Sequence, residues 1–93
     1  GTGSCAGEII LIVKPEFTLG RLESHVDYVI RNSAVGKVHA QIITRESSYF
    51  IKDLNSKNGT CINDVKIDSN EEYRIESNDK ITLANNEYIF IAP

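Results

Sequence analysis

The 93 residues contain no tryptophan and no methionine, and only two cysteines and two histidines. Each scarcity removes a class of function. A metal centre needs three or four ligands at recurrent spacings, and Cys5, Cys61, His25 and His39 stand at unrelated intervals. Two cysteines so far apart make no disulfide framework, so reduced thiols in a cytoplasmic (intracellular) setting are expected. No HExxH spacing and no glycine-framed serine occurs. His39 lies in the apolar run "KVHAQII", where an imidazole is a hydrogen-bonded strand residue rather than a general base. The reading is therefore of a protein that is not an enzyme, with no catalytic residue, no metal and no cofactor.

Long hydrophobic runs are also missing. None approaches the roughly 18 residues of a membrane helix, and "GTGSCAG" at the start lacks the basic and apolar parts of a secretion signal. No membrane partner is expected. The net charge is −3, from 10 Lys and Arg against 13 Asp and Glu, which argues against a nucleic-acid partner, since that would require a basic face. It is compatible with a local basic pocket. Residues 1–7 read as a disordered tail or cloning remnant and residues 8–93 as one domain, the length of a single core. The ending "IAP" reads as the edge of a domain excised from a longer protein.

What the chain does have is short strands. "EIILIV" (8–13), "FTLG" (17–20), "YVI" (28–30), "VHAQIIT" (38–44), "YFIKDL" (49–54), "TCIN" (60–63), "VKI" (65–67), "YRI" (73–75), "KITLA" (80–84) and "EYIFIA" (87–92) have strand periodicity or β-branched content. Asn, Asp, Ser and Gly fall between nearly all of them. No segment sustains helical spacing. About ten such strands describe an all-β sandwich or barrel, with function on the loops at one end.

Three cations stand where strands meet turns. Arg21 follows Gly20, Lys37 follows Gly36, and Lys57 lies between Ser56 and Asn58. Any one alone is an ordinary solvated surface charge. Gathered at one end of a sandwich, they would surround an anion pocket with Asn and Ser donors between them. The stretch "DLNSKNGTCIN" (53–63) is dense in side chains that hydrogen-bond their own backbone, and Gly59 can adopt a positive φ. That alone explains a rigid turn.

In order along the chain, Gly20-Arg21, "DYVI" (27–30), "VGKVHA" (35–40), "DLNSKNGTCIN" (53–63) and "NDKITLA" (78–84) resemble the motifs of the forkhead-associated (FHA) domains. The resemblance runs from about Thr18 to Ile91. It implies a β-sandwich of about eleven strands in two antiparallel or mixed sheets, with functional loops at one end. It implies a phosphothreonine-peptide-binding interaction module, part of a larger signalling or regulatory protein. The partner would be a phosphothreonine-containing protein, either a Ser/Thr kinase substrate or a kinase. By position, Arg21, Gly36, Lys37, Ser56, Lys57 and Asn58 are similar to the family's phosphopeptide-binding residues. Gly20, His39, Asp53, Gly59, Thr60 and Asn63 are similar to the residues that support the site.

One departure concerns the pocket. Gly36 stands where the family has a serine whose hydroxyl donates to the phosphate. Losing a charge-assisted hydrogen bond costs roughly 1.5–3 kcal/mol, about a ten- to hundredfold loss of affinity. This departure sustains a second expectation, an FHA fold used for phosphate-independent interaction or assembly. Lys37 in place of arginine, and Asn78 and Ala84 in place of glycine, are lesser departures.

Overall fold

The computed structural model describes residues 14–91. The tail expected over residues 1–7, the run at 8–13 and Cys5 lie outside the described residues; Cys61 carries a free thiol. Strands run in the order β1 (Glu16–Gly20), β2 (Tyr28–Val29), β3 (Ala40–Arg45), β4 (Ser48–Asp53), β5 (Thr60–Ile62), β6 (Val65–Lys66), β7 (Glu72–Ile75), β8 (Lys80–Leu83) and β9 (Asn86–Ile89). They form a five-stranded sheet, β2-β1-β3-β4-β7, and a four-stranded sheet, β6-β5-β8-β9. Nine strands are thus found among the described residues, against about eleven expected. The first sheet is mixed because β1 and β2 run parallel; the other pairings are antiparallel. One turn of 3-10 helix, Glu23–His25, departs from the all-strand expectation.

Alternation explains how the sheets face each other. In the first sheet Phe17, Ile42, Ile51 and Tyr73 fall in one register row, and the first three are buried. Ile81, Leu83 and Phe90 face them from the second sheet's side of the same core cluster. Tyr49 meets Phe90 edge to face, with ring centroids 5.2 Å apart. Fully burying an isoleucine such as Ile51 contributes about 1.5–3 kcal/mol, so this shared core holds the two sheets together. Ile43 is an exception to the alternation. It lies in the outward row Glu16–Ile43–Phe50–Arg74 yet is buried. Phe50 stands beside it, with the Arg45 guanidinium 5.7 Å above the Phe50 ring and Arg45 paired in turn with Glu72.

The strand ends bring three loops to one end of the sandwich, while a tight hairpin turns the chain at the other. Asn63 and Asp64, between β5 and β6, both have positive φ, as a two-residue hairpin matched to strand twist requires. Strand β1 ends at Gly20 beside the start of β3, where β4 also ends at Asp53 and β5 begins at Thr60. The segments Arg21–Asp27, Arg31–His39 and Leu54–Gly59 therefore leave the sandwich from the same end. The β8–β9 turn at Ala84–Asn85 joins them, because Asn32 Nδ2 donates to Asn85 Oδ1 at 2.8 Å.

Candidate functional site

The site is built on a buried carboxylate. Asp53 closes β4 at 1% exposure, and an ionised carboxylate so placed must be fully hydrogen-bonded. Its Oδ1 accepts from Ser56 Oγ at 2.5 Å and Thr60 Oγ1 at 2.6 Å. Its Oδ2 accepts from the Ser56 amide at 3.0 Å and Ser69 Oγ at 2.9 Å. Burial acts to raise the Asp53 pKa, but the bonds from Ser56, Thr60 and Ser69 outweigh it and hold the carboxyl below the usual value. Ser56 Oγ also accepts the Gly59 amide at 3.0 Å. The spacing of Asp53, Ser56, Gly59 and Thr60 is thus one hydrogen-bonded loop, with Lys57 and Asn58 left exposed at its tip. Gly59 closes the loop at φ 86°, which a side chain would strain.

His39 ties this loop to the next. The Gly36 amide donates to His39 Nδ1 at 2.8 Å, so that nitrogen is an acceptor. The proton then resides on Nε2, which donates to the Gly59 carbonyl at 2.9 Å. The ring is therefore in its neutral form, and the 4.0 Å approach of Nε2 to Asp53 is not an ion pair. With the imidazole fully buried, each polar atom on its ring meets a partner from a different loop.

Arg21 is held from the third loop. Its amide donates to the carbonyls of Gly36 and Lys37, and the Leu22 amide donates to Lys37 as well. This approach is so close that a Cβ on Gly20 would lie 2.3 Å from the Lys37 carbonyl oxygen, so only glycine fits there. The Arg21 side chain donates from Nε to the Val35 carbonyl at 3.0 Å. Asn58 donates from Nδ2 to the adjacent carbonyl, Ala34, at 2.7 Å. Two exposed side chains from separate loops are thus fastened to consecutive carbonyls of the Arg31–His39 segment. The η nitrogens of Arg21, and the ammonium groups of Lys37 and Lys57, form no hydrogen bond with another described residue.

The structure thus brings Arg21, Gly36, Lys37, Ser56, Lys57 and Asn58 to one end, over Gly20, His39, Asp53, Gly59 and Thr60. Asn63 is elsewhere. It stands at the opposite end of β5, where its side chain bonds Asp79 Oδ1 at 3.0 Å and the Lys80 amide at 2.8 Å. It fixes the start of β8, not the recognition loops. At Gly36 both backbone polar groups are engaged: the amide donates to His39 Nδ1, and the carbonyl accepts from the Arg21 amide.

Sequence reasoning missed Asn32 and Ser69. Asn32 Oδ1 accepts the Ala34 amide at 2.9 Å, a local two-residue turn that its place in the turn cluster "RNSAVG" could have flagged. Its amide nitrogen bridges to Asn85 and Asn86, bracing the loop that carries Ala34 and Val35. Ser69 reaches Asp53 from a distant turn, and no local signal marks it.

The protein is thus a two-sheet β-sandwich with a hydrogen-bonded, cation-bearing loop cluster at one end. The FHA domain family model matches residues 17–84, and the chain belongs to that family. Among solved structures it is similar to Mycobacterium tuberculosis EmbR in complex with a low-affinity phosphopeptide, at 28% identity and TM-score 0.77, covering 84% of this chain and 20% of that one. It is similar to the N-terminal FHA domain of S. cerevisiae Rad53p in complex with a phosphothreonine peptide, at 30% identity and TM-score 0.67, covering 73% of this chain and 55% of that one. The FHA domain of CT664 from Chlamydia trachomatis shares the fold, at 24% identity and TM-score 0.79, covering 87% of this chain and 80% of that one. The chain therefore spans a fifth of the M. tuberculosis chain and just over half of the yeast one. Comparison with curated protein sequences gives no match.

Proposed function

We propose that this domain is a phosphothreonine-peptide reader, an interaction module without catalytic activity, within a larger signalling or regulatory protein. The observation that carries this reading is the fastening of Arg21 and Asn58 to the neighbouring carbonyls of Val35 and Ala34. It aligns a guanidinium whose η nitrogens have no hydrogen-bond partner among the described residues with an amide that keeps a second N–H and an acceptor oxygen. A phosphothreonine brings about −1.5 to −2 charges and three acceptor oxygens. Arg21, Lys37 and Lys57 supply the matching donors, and Asn58 supplies contacts to the peptide backbone. Phosphothreonine and phosphopeptide ligands in the yeast and M. tuberculosis relatives support the same chemistry.

A second reading rests on Gly36, which has no hydroxyl and whose amide is committed to His39. In that reading the domain binds its partner without phosphate. Titration with a degenerate phosphothreonine library, beside its phosphoserine and unphosphorylated counterparts, separates the two. Binding that requires phosphate and the threonine methyl, and falls at least about tenfold in Arg21→Ala, supports the reader. Equal binding with and without phosphate replaces it by the second reading.

A further inference from the structure

All ten lysines and arginines of the chain lie within the described residues, so their partners can be compared as one set. Lys14, Arg45, Arg74 and Lys80 each lie within 3.9 Å of a carboxylate. Lys52 interacts electrostatically with Glu72. Arg21, Arg31, Lys37, Lys57 and Lys66 have no carboxylate partner among the described residues. The division follows the ends of the sandwich, because these five belong to the loop end or reach toward it. An unpaired surface lysine is ordinary by itself; five such cations converging on one end, in a chain of net charge −3, make a local field open to an anionic ligand.

Lys66 extends this field beyond the pocket. On β6 it pairs with Cys61 of β5, and its side chain runs toward the recognition loop, where a Cβ on Gly59 would meet Lys66 Cε at 3.0 Å and Nζ at 3.6 Å. Asp64, two residues away, does not draw it back; that carboxylate pairs with Lys80 at 2.8 Å. The ammonium thus lies beside the residue that follows Asn58. Consecutive Cα atoms are about 3.8 Å apart and an extended peptide advances about 3.3 Å per residue. An extended ligand held by Lys57 and Asn58 and running toward Gly59 would therefore bring a residue within about three positions of its phosphothreonine to Lys66.

We infer that Lys66 is a specificity residue, receiving a second anionic group of the bound peptide, so that the preferred ligand is an acidic phosphopeptide. This inference rests on the phosphothreonine reading above. The second group is a carboxylate or another phosphate, which share the chemistry Lys66 recognises. At physiological ionic strength a charge is felt over about 8 Å, so a cation adjoining the recognition loop acts on the peptide residues next to the phosphothreonine.

The test is fluorescence-anisotropy titration of labelled peptides of equal length carrying one phosphothreonine. One has neutral flanks, one has two glutamates within three residues, and one has a phosphoserine there instead. Wild type binds the glutamate peptide about two- to fivefold more tightly than the neutral one, the range of an exposed ion pair, and the advantage shrinks as salt rises. A larger gain for the phosphoserine peptide identifies phosphate as the second group; a gain for glutamate alone identifies a carboxylate. Lys66→Ala removes the advantage and leaves the neutral peptide within about twofold, while Lys52→Ala behaves as wild type. Equal binding of all three peptides by wild type overturns the inference alone, as does a Lys66→Ala variant that weakens them equally. If wild type binds none of them, the phosphothreonine reading fails as well.

Discussion

Thr60 donates from Oγ1 to Asp53 Oδ1 across 2.6 Å, although they stand seven positions apart, and both side chains are sealed from solvent. This bond and its neighbours turn a buried charge into the foundation of the recognition loops. It has a consequence for acid stability. The Asp53 carboxyl is held below its usual pKa, with burial opposing and the Ser56, Thr60 and Ser69 bonds prevailing. Asp27 is lowered by the Thr18 amide and Lys14, Glu72 by Arg45, and Asp79 by the Glu76 amide and Asn63.

All four groups are depressed on folding, so the unfolded chain takes up protons first as pH falls. Their stabilisation is complete above the usual carboxylate values and is lost below about pH 4. Urea unfolding between pH 7 and 2.5 should show flat stability down to about pH 5 and then a steep decline. Asp53→Asn should cost about 3 kcal/mol at pH 7 and make that decline shallower. A variant with wild-type stability at pH 7 would mean that the carboxylate is not what orders the loop.

Restoring a hydroxyl at Gly36 should strengthen phosphopeptide binding. The backbone there does not need glycine, and a Cβ would meet His39 Nδ1 at 3.4 Å and its Cα at 3.6 Å, ordinary contact distances. Gly36→Ser should tighten binding about tenfold, the lower bound for a hydrogen bond to a charged group, with little change in thermal midpoint. Calorimetric titration of one phosphothreonine peptide against both proteins checks this. Unchanged affinity would show that the phosphate sits out of reach of residue 36.

A third expectation concerns the second sheet. Thr82 Oγ1 is buried and has no hydrogen-bond partner among the described residues, although Thr82 lies on the outward row between Cys61 and Glu87. An unsatisfied buried hydroxyl is destabilising, and valine has the same shape without it. Thr82→Val should stabilise the domain by about 1 kcal/mol, read from the urea midpoint at constant slope. A loss of stability would show that the hydroxyl has a partner in solution.

Much of the recognition loop was legible because its bonds are local. Asp53 to Ser56 and Ser56 to Gly59 span three residues each, and short polar side chains followed by a glycine announce such turns. The strands were legible for a similar reason: alternation in "FTLG" and "YFIKDL" repeats the faces seen in β1 and β4. Asn63 was misplaced because its motif neighbours are near in sequence, while three strand residues carry it to the other end of the sandwich. Ile43 broke the alternation through neighbours on another strand, which no local pattern encodes.

By itself the sequence determined the strand-forming segments, their turns, the Asp53–Thr60 loop and the family resemblance, because each depends on neighbouring residues or on their order. Only the tertiary structure decided that the Gly36 amide belongs to His39, that Arg21 and Asn58 hold adjacent carbonyls, and that Lys66 lies along Gly59. Those relations join residues from 3 to 24 positions apart through the closing of two sheets on one core. Hydrogen-bond reach is about 3 Å, so which distant groups meet is fixed by that closure and not by spacing along the chain.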